Sequence, residues 1–360
     1  MILAILFIFW MREIREVRIG SKLVGDDHPC YIVAEIGNNH NGELEIAKRL
    51  IEAALECGAD AVKFQKRDID SLMTNELKNM PYQKYDSFGA TYGEHRQRLE
   101  LSDEDWRRLF NFAKKLGIDF YATPFDFKSA DFLDELGVPC FKIASFDVTN
   151  LPLIDYVCKK GKPVILSTGM CTWEELDEAV EVIRRNGNDF VLLHCVSAYP
   201  HDNELSNLRL IQKLKERYKV PVGYSGHEKS GFVVSLGARM MGACMIERHF
   251  TLDRTMKGPD HAASLEPKGL AELVRNIRKL EQALGDGEKR ILDIEMPLRL
   301  KMAKSIVTTR YIRAGEVIRR EDLTVKCPGT GLKPKYIDAL VGKVAKRDLP
   351  ADTVVPPEAL

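Results

Sequence analysis

Repeated β-α units, and hence an α/β fold, are what this sequence predicts, and three observations carry the expectation. Between Tyr31 and about Gly285, short apolar runs alternate with amphipathic stretches of helical period. Eight such runs can be read, and eight β-α units in roughly 250 residues is the length of a closed TIM (β/α)8 barrel. From Lys304 the pattern changes to short β-type runs between turns, which marks a second, small domain. The expected organisation is an N-terminal extension over residues 1–29, a barrel over 30–285, a linker over 286–303 and the small domain over 304–360. A doubly wound open sheet is the competing α/β arrangement, and the absence of a strong nucleotide fingerprint favours closure.

The strand candidates, in order, are Tyr31–Glu35, Ala61–Gln65, Phe120–Thr123, Cys140–Ser145, Val164–Thr168, Phe190–Cys195, Val222–Ser225 and Met245–His249. The first ends in a carboxylate and meets the polar run Gly37-Asn38-Asn39-His40-Asn41-Gly42. A helix then reads from Glu43 to Cys57, with Ile46, Leu50, Ile51, Ala54 and Leu55 forming its apolar stripe and Gly58 suited to end it. Ser71–Leu101 is long for a connection and carries Tyr82, Tyr85, Phe88 and Tyr92, as a binding loop or a plain surface excursion would. Ser102-Asp103-Glu104-Asp105 and Thr172-Trp173-Glu174-Glu175 resemble capping boxes. Gly117, Gly137, Gly187 and Gly242 follow helical stretches as C-terminal glycines do. The last barrel helix runs to about Leu284, and a charged connector follows to Lys304. Ser305–Thr309 and Leu323–Lys326 read as short strands of the final domain.

Lys plus Arg and Asp plus Glu number 53 each, so no global charge points to nucleic acid or an anionic membrane surface. The eight cysteines are scattered without C-x-x-C spacing, which signals neither a zinc site nor a disulfide framework and fits a cytoplasmic setting. Met1 to Trp10 is apolar but half the length that spans a bilayer, which takes about 20 residues as a helix. It also lacks the charge and small residues of a signal peptide, so translation is expected to begin at Met11.

In a barrel of this class the chemistry collects at the carboxyl ends of the strands. Those ends carry Glu35; Lys63 and Gln65; Thr123; Lys142 and Ser145; Ser167 and Thr168; His194 and Tyr199; Ser225 and His227; and Glu247 and His249. A lysine inside an apolar strand is costly unless an anion compensates it. One such lysine can pair with a buried acid or form a Schiff base. Two, Lys63 and Lys142, with the hydroxyls of Ser145, Ser167 and Ser225 nearby, suit a small anion bearing a phosphate and a carboxylate. His227 and His249 end neighbouring strands and suit a divalent transition metal, although a lone histidine there is usually structural. His40, His194 and His201 have no evident partner.

Ala34–Gly42 (AEIGNNHNG), Val62–Gln65 (VKFQ), Lys142–Ser145 (KIAS), Ile165–Met170 (ILSTGM), His194–Pro200 (HCVSAYP), Gly223–Glu228 (GYSGHE), Ile246–Thr251 (IERHFT) and Lys257–Pro267 (KGPDHAASLEP) form an ordered series. By these stretches the chain resembles the sialic acid (N-acetylneuraminate) synthase family. The family comprises phosphoenolpyruvate-dependent synthases of nonulosonic acids, and the likeness extends from about Cys30 to the end. The small domain resembles their C-terminal SAF, or antifreeze-like, domain of β-clip type. The resemblance implies an enzyme that condenses phosphoenolpyruvate with the open-chain aldehyde of an N-acylated hexosamine, such as N-acetylmannosamine, and releases phosphate. It implies that Lys63, Thr123, Lys142, Ser145, Ser167 and Ser225 hold phosphoenolpyruvate and that Gln65, Asp147, Tyr199 and Asp260 line the sugar site. His227 and His249 would hold a divalent metal, manganese foremost and otherwise magnesium or cobalt, with Glu35 as the acid/base carboxylate. A domain-swapped homodimer is implied as well, each SAF domain capping the partner's barrel.

Two features depart from the commonest pattern. Lys326-Cys327-Pro328-Gly329 stands where these enzymes usually carry an arginine in place of Cys327, and a thiol cannot replace a guanidinium fork. Val196-Ser197-Ala198 and Phe146-Asp147 look closer to the pseudaminate and spore-coat branches. N-acetylneuraminate synthesis is therefore the leading expectation. Pseudaminate, legionaminate or 9-phosphate-type synthesis is the alternative within the class. A phosphoenolpyruvate aldol enzyme like those of early aromatic biosynthesis, or a sugar-binding barrel without catalysis, stands further off.

Overall fold

Eight parallel strands close on themselves in the computed structural model, which describes residues 15–359; the expected start at Met11 lies outside the described residues. A two-stranded antiparallel pair, β1 (Glu16–Ile19) and β2 (Lys22–Gly25), precedes the barrel. Its turn meets the residues that start the barrel strands. Lys22 pairs with Asp60, and a Cβ on Gly20, where φ is +55°, would collide with the Asp119 carboxylate. The hairpin thus lies at the amino ends of the strands, the face opposite the one where chemistry collects.

The barrel strands are β3 (Tyr31–Gly37), β4 (Ala61–Lys66), β5 (Asp119–Pro124), β6 (Phe141–Ile143), β7 (Val164–Ser167), β8 (Phe190–Cys195), β9 (Val222–Gly226) and β10 (Met245–His249). All eight expected strands are present to within a residue or two, except that β6 is shorter at its carboxyl end. There Ser145–Asp147 turns into a 3-10 helix. β10 pairs with β3 and closes the ring. The register sets His249 opposite Glu35 and Glu35 opposite Lys63, so three ionisable side chains share one level. An irregularity between Glu35 and Gly37 shifts the β3–β4 register, a device that re-aims side chains at barrel rims.

The outer helices include α1 (Leu44–Glu56), which buries Ala47, Leu50, Ile51 and Ala54. Each fully buried leucine or isoleucine there contributes about 1.5–3 kcal/mol. Three short helices follow β4: α2 (Ile69–Leu72), α3 (Asn75–Asn79) and α4 (Tyr92–Arg98). The long connection expected over Ser71–Leu101 therefore contains short helices. The pieces are too short for a 3.6-residue period to show, but Thr74 and Thr91 cap them. Tyr82, Phe88 and Tyr92 stack around the buried His95, while Tyr85 points to solvent.

The remaining barrel helices are α5 (Asp103–Leu116), α6 (Phe127–Leu136), α7 (Leu151–Cys158), α8 (Trp173–Arg185), α9 (Leu210–Tyr218), α10 (Val233–Met240) and α11 (Pro267–Leu284). Thr172 and Glu175 form the expected capping box on α8. Ser102 caps α5 without the reciprocal half, because the Asp105 carboxylate accepts from the Ser102 hydroxyl instead of reaching the backbone. Gly117 and Gly137 adopt the left-handed conformation after α5 and α6.

The chain divides into two compact units, with the boundary between Leu284 and Gly285. In the second unit the charged connector contains a 3-10 turn, Asp293–Glu295, and a helix, α12 (Met296–Met302). Pro297 in the first turn of α12 reads equally as a loop residue, which hid the helix. Strands β11 (Ser305–Thr308) and β12 (Leu323–Lys326) pair antiparallel, and α13 (Ile337–Leu340) follows. Ile306, Ile312, Ile318, Leu323, Leu340, Ala345, Leu349 and Val355 form a core of their own. All eight cysteines are free thiols. No helix among the described residues is long and apolar enough to cross a membrane.

Candidate active site

The carboxyl ends of the barrel strands open into a cavity of about 530 Å³. Every residue singled out above for phosphoenolpyruvate, sugar, metal or proton transfer lines it: Glu35, Lys63, Gln65, Thr123, Lys142, Ser145, Asp147, Ser167, Tyr199, Ser225, His227, His249 and Asp260.

At the floor lie the two lysines. Lys63 is 2.8 Å from Glu35 Oε2 and 3.9 Å from Glu247 Oε2. Burial works against its charge, but the carboxylates of Glu247 and Glu35 outweigh burial and hold the ammonium above the ordinary lysine range. Lys63 thus already has a buried acid as partner, the arrangement left open above for a single such lysine. Lys142 has no such partner. It donates to Ser167 Oγ at 2.5 Å and to the Ile143 carbonyl at 3.0 Å. Burial, with Lys63 as a like charge nearby, leaves its affinity for a proton below that of an ordinary lysine despite Glu247. A lysine left this way gains when an anion arrives. Thr123 Oγ1 lies 3.4 Å from Lys63 Nζ, and Ser145 Oγ accepts from the Gly169 backbone at 3.0 Å, so the hydroxyls flank the same floor.

Two carboxylates serve this floor, not one. Glu35 accepts from Gln65 Nε2 at 2.8 Å, an approach that Gly37 permits, since a Cβ there would stand 3.0 Å from Gln65 Nε2 and 3.1 Å from Glu35 Oε1. Glu247 accepts from Ser225 Oγ at 2.9 Å, while its Oε2 has no hydrogen-bond partner. Burial raises the proton affinity of Glu247, and Lys63 and Lys142 more than reverse that, so the group is held ionised. Sequence reading placed Glu247 at a strand end but gave it no task; its register partner Ser225 was the available signal.

The histidine pair stands beside these groups. His227 and His249 have ring centroids 5.5 Å apart, and the Tyr199 ring packs 4.0 Å from His227. His227 Nδ1 donates to the Val196 carbonyl at 2.8 Å, which leaves Nε2 as the lone-pair nitrogen. Burial, then neighbouring His249, holds the His227 imidazole well below the usual range and hence neutral. His249 Nδ1 is buried without a hydrogen-bond partner, with Asp260 Oδ2 at 3.9 Å. Two adjacent imidazoles, one oriented by a backbone carbonyl and one with an orphaned nitrogen, fit a transition-metal cation. Among the described residues no group of three or more His, Cys, Asp or Glu side chains is gathered as a metal site. The protein thus offers two nitrogen donors and leaves further positions to ligand or water oxygens.

Four other candidates fall outside the cavity. His194 bonds to the Ser206 carbonyl at 2.7 Å and lines a separate apolar cavity together with Thr168, whose hydroxyl donates to the Leu193 carbonyl. Cys195, next to His194, lines both cavities. His40 is buried, and its Nδ1 accepts from the Gly42 backbone. His201 bonds to the Asp202 carbonyl and takes no part. Conversely, Arg67, Arg96 and Phe146 line the cavity without having been named as site candidates, as do Asn38 of the polar run after β3 and Tyr92 of the possible binding loop. Arg67 lies one residue past β4 and the two α4 residues sit in the supposed loop, so neither strand-end reading nor periodicity reached them.

With this geometry in view, the comparisons with known proteins are direct. A family model described as the NeuB family matches residues 50–289, and one described as the SAF domain matches residues 303–360. The chain is 43% identical over 325 residues to the N-acetylneuraminate-9-phosphate synthase of Homo sapiens, covering 90% of each. It is 42% identical over 342 residues to the N,N'-diacetyllegionaminic acid synthase of Legionella pneumophila, covering 93% of this chain and 96% of the relative. Among solved structures, the N-acetylneuraminic acid synthetase of Leptospira borgpetersenii, crystallised with citrate, shares 35% identity at a TM-score of 0.70. That match covers 80% of this chain and 96% of the other.

Proposed function

The chain belongs to the NeuB family of nonulosonic acid synthases, and from that premise we propose that it joins phosphoenolpyruvate to the open-chain aldehyde of an N-acylated hexosamine. The observation that carries this reading is the cavity floor, where Lys63 and Lys142 meet two carboxylates beside a pair of imidazoles. Relatives of nearly equal identity are named for N-acetylneuraminate 9-phosphate and for diacetyllegionaminate, and the N-acetylneuraminate skeleton, free or as its 9-phosphate, is the product class proposed first.

Lys142, its ammonium donating to the Ser167 hydroxyl, takes the phosphate, and Lys63 with Thr123 takes the other anionic end. Ser145 and Ser225 complete the polar wall. An anion arriving beside Lys63 competes with Glu35 for the ammonium. Glu35 is then placed to give or take a proton at the aldehyde oxygen, with Gln65 holding the carboxyl in position. C3 of phosphoenolpyruvate attacks the aldehyde carbon, water adds at C2, and the phosphate departs with its bridging oxygen. Glu247, ionised and with Oε2 unengaged, is suited to accept the proton of that water. His227 and His249 would hold a divalent cation, manganese by preference, with magnesium or cobalt as substitutes. Such a cation supplies Lewis-acid polarisation of a carbonyl oxygen when bound. Tyr199, packed on both imidazoles, and Asp260 and Asp147 shape the sugar side. A homodimer in a cytoplasmic setting belongs to the same proposal and rests on likeness to the family alone.

The test follows phosphate release from phosphoenolpyruvate, with manganese present, across a panel of N-acylated hexosamines and their 6-phosphates. Release that depends on one of the sugars is expected. No sugar-dependent release anywhere on the panel would contradict the reading.

A further inference from the structure

Lys63, Gln65 and Arg67 alternate along one strand and its extension, so all three face the barrel axis. The row reads cation, amide, cation from floor to mouth. The Glu35 carboxylate and the Gln65 amide stand in line between the Lys63 ammonium and the Arg67 guanidinium. Arg67 is buried, its guanidinium 4.2 Å from the Phe125 ring centroid. Asn38 Oδ1 at 3.0 Å, Glu100 at 3.3 Å and the Gln65 amide oxygen fix its plane. Across the opening, Arg96 on α4 lies over the Tyr92 ring and donates from Nε to the Tyr92 hydroxyl at 3.0 Å. Among the described residues, no carboxylate pairs with Arg96. Burial weakens the charge of Arg67, and Arg96 is close enough to add to that effect. Two guanidiniums facing one space, one of them without a counter-ion, form a site that an anion with several oxygens relieves.

We propose that Arg67 and Arg96 bind a phosphomonoester at the far end of the sugar, so that the acceptor is a hexosamine 6-phosphate. This assignment rests on the reading of the site as a phosphoenolpyruvate-dependent synthase. The floor lysines serve one phosphate and the arginines at the mouth another, with the sugar chain and Gln65 between them. Arg96 is the specificity-determining member, because Arg67 is already tied to Glu100.

The experiment compares the full-length protein with Arg96→Gln and Arg96→Lys, using manganese, phosphoenolpyruvate, and N-acetylmannosamine with and without the 6-phosphate. The wild type is expected to favour the 6-phosphate in kcat/KM. In Arg96→Gln that preference should fall roughly 10- to 100-fold, the size of one lost charge-assisted contact, carried by KM for the sugar. Arg96→Lys should recover part of it, which a merely structural loss would not allow. Preference of the wild type for the unphosphorylated sugar would overturn the phosphate site while leaving the synthase reading intact. An equal fall for both sugars, or a fall expressed in KM for phosphoenolpyruvate, would overturn it too. Absence of turnover with either sugar, while other hexosamines also fail, would overturn the synthase reading and this site together.

Discussion

Lys142 is the residue through which pH acts most directly on the proposed chemistry. Its charged form binds the anion, and burial lowers its proton affinity, so the charged form is lost at a lower pH than for an ordinary lysine. KM for phosphoenolpyruvate should therefore climb as pH rises through the alkaline range, while Lys63, held above the ordinary range, stays charged. Steady-state kinetics across pH checks this, and a flat KM would contradict it. Substituting either lysine by alanine should raise KM for phosphoenolpyruvate roughly 10- to 100-fold, from the loss of about 1.5–3 kcal/mol of charged hydrogen bonding. Lys63→Ala also leaves Glu35 and Glu247 facing each other without a cation, so its melting temperature should fall further than that of Lys142→Ala. Equal melting temperatures for the two variants would contradict the pairing. The residues at this scale that sequence alone exposes are those on strands, because a lysine between Val62 and Phe64 has no bland explanation. Which partner compensates it was not legible, since Glu35 reaches Lys63 only through barrel closure and register.

The connection from β3 to α1 shows what an element contributes. Gly42 has φ of +73°, and a Cβ there would lie 2.2 Å from the Arg98 carbonyl oxygen. Gly42→Ala combines backbone strain of about 1–3 kcal/mol with that collision, and should lower the melting temperature and disturb the approach of α4. An unchanged melting curve would contradict the close approach. In the same connection, burial first and Arg67 second lower the His40 pKa to about 3. The unfolded chain binds this proton in the ordinary histidine range and the folded chain does not. Its contribution to stability is therefore full above that range and is lost as pH falls toward about 3. His40→Gln should flatten the acid side of a plot of melting temperature against pH, as calorimetry would show. Turn chemistry exposed this connection in the sequence, because Asn-Gly runs have few other uses. The helices α2 to α4 and α12 stayed hidden because they are brief and irregularly patterned, and the Arg96 site stayed hidden with them.

For the whole molecule, the barrel and the SAF unit each carry a core, and the fold class was legible because eight apolar runs have one economical closure. Cys327, in the stretch where the family usually places an arginine, accepts from Lys304 Nζ at 2.7 Å, and Lys326 pairs with Asp352. Neither side chain presents a guanidinium fork. The proposed homodimer predicts twice the chain mass by light scattering, and a monomer at working concentration would contradict it. The central claim is carbon–carbon bond formation at the floor of the barrel. Mass spectrometry of a reaction with phosphoenolpyruvate, manganese and N-acetylmannosamine 6-phosphate tests it most directly. A product with the combined carbon skeleton of pyruvate and the sugar phosphate should form one-to-one with inorganic phosphate. Phosphate without that product, or neither, would contradict the account.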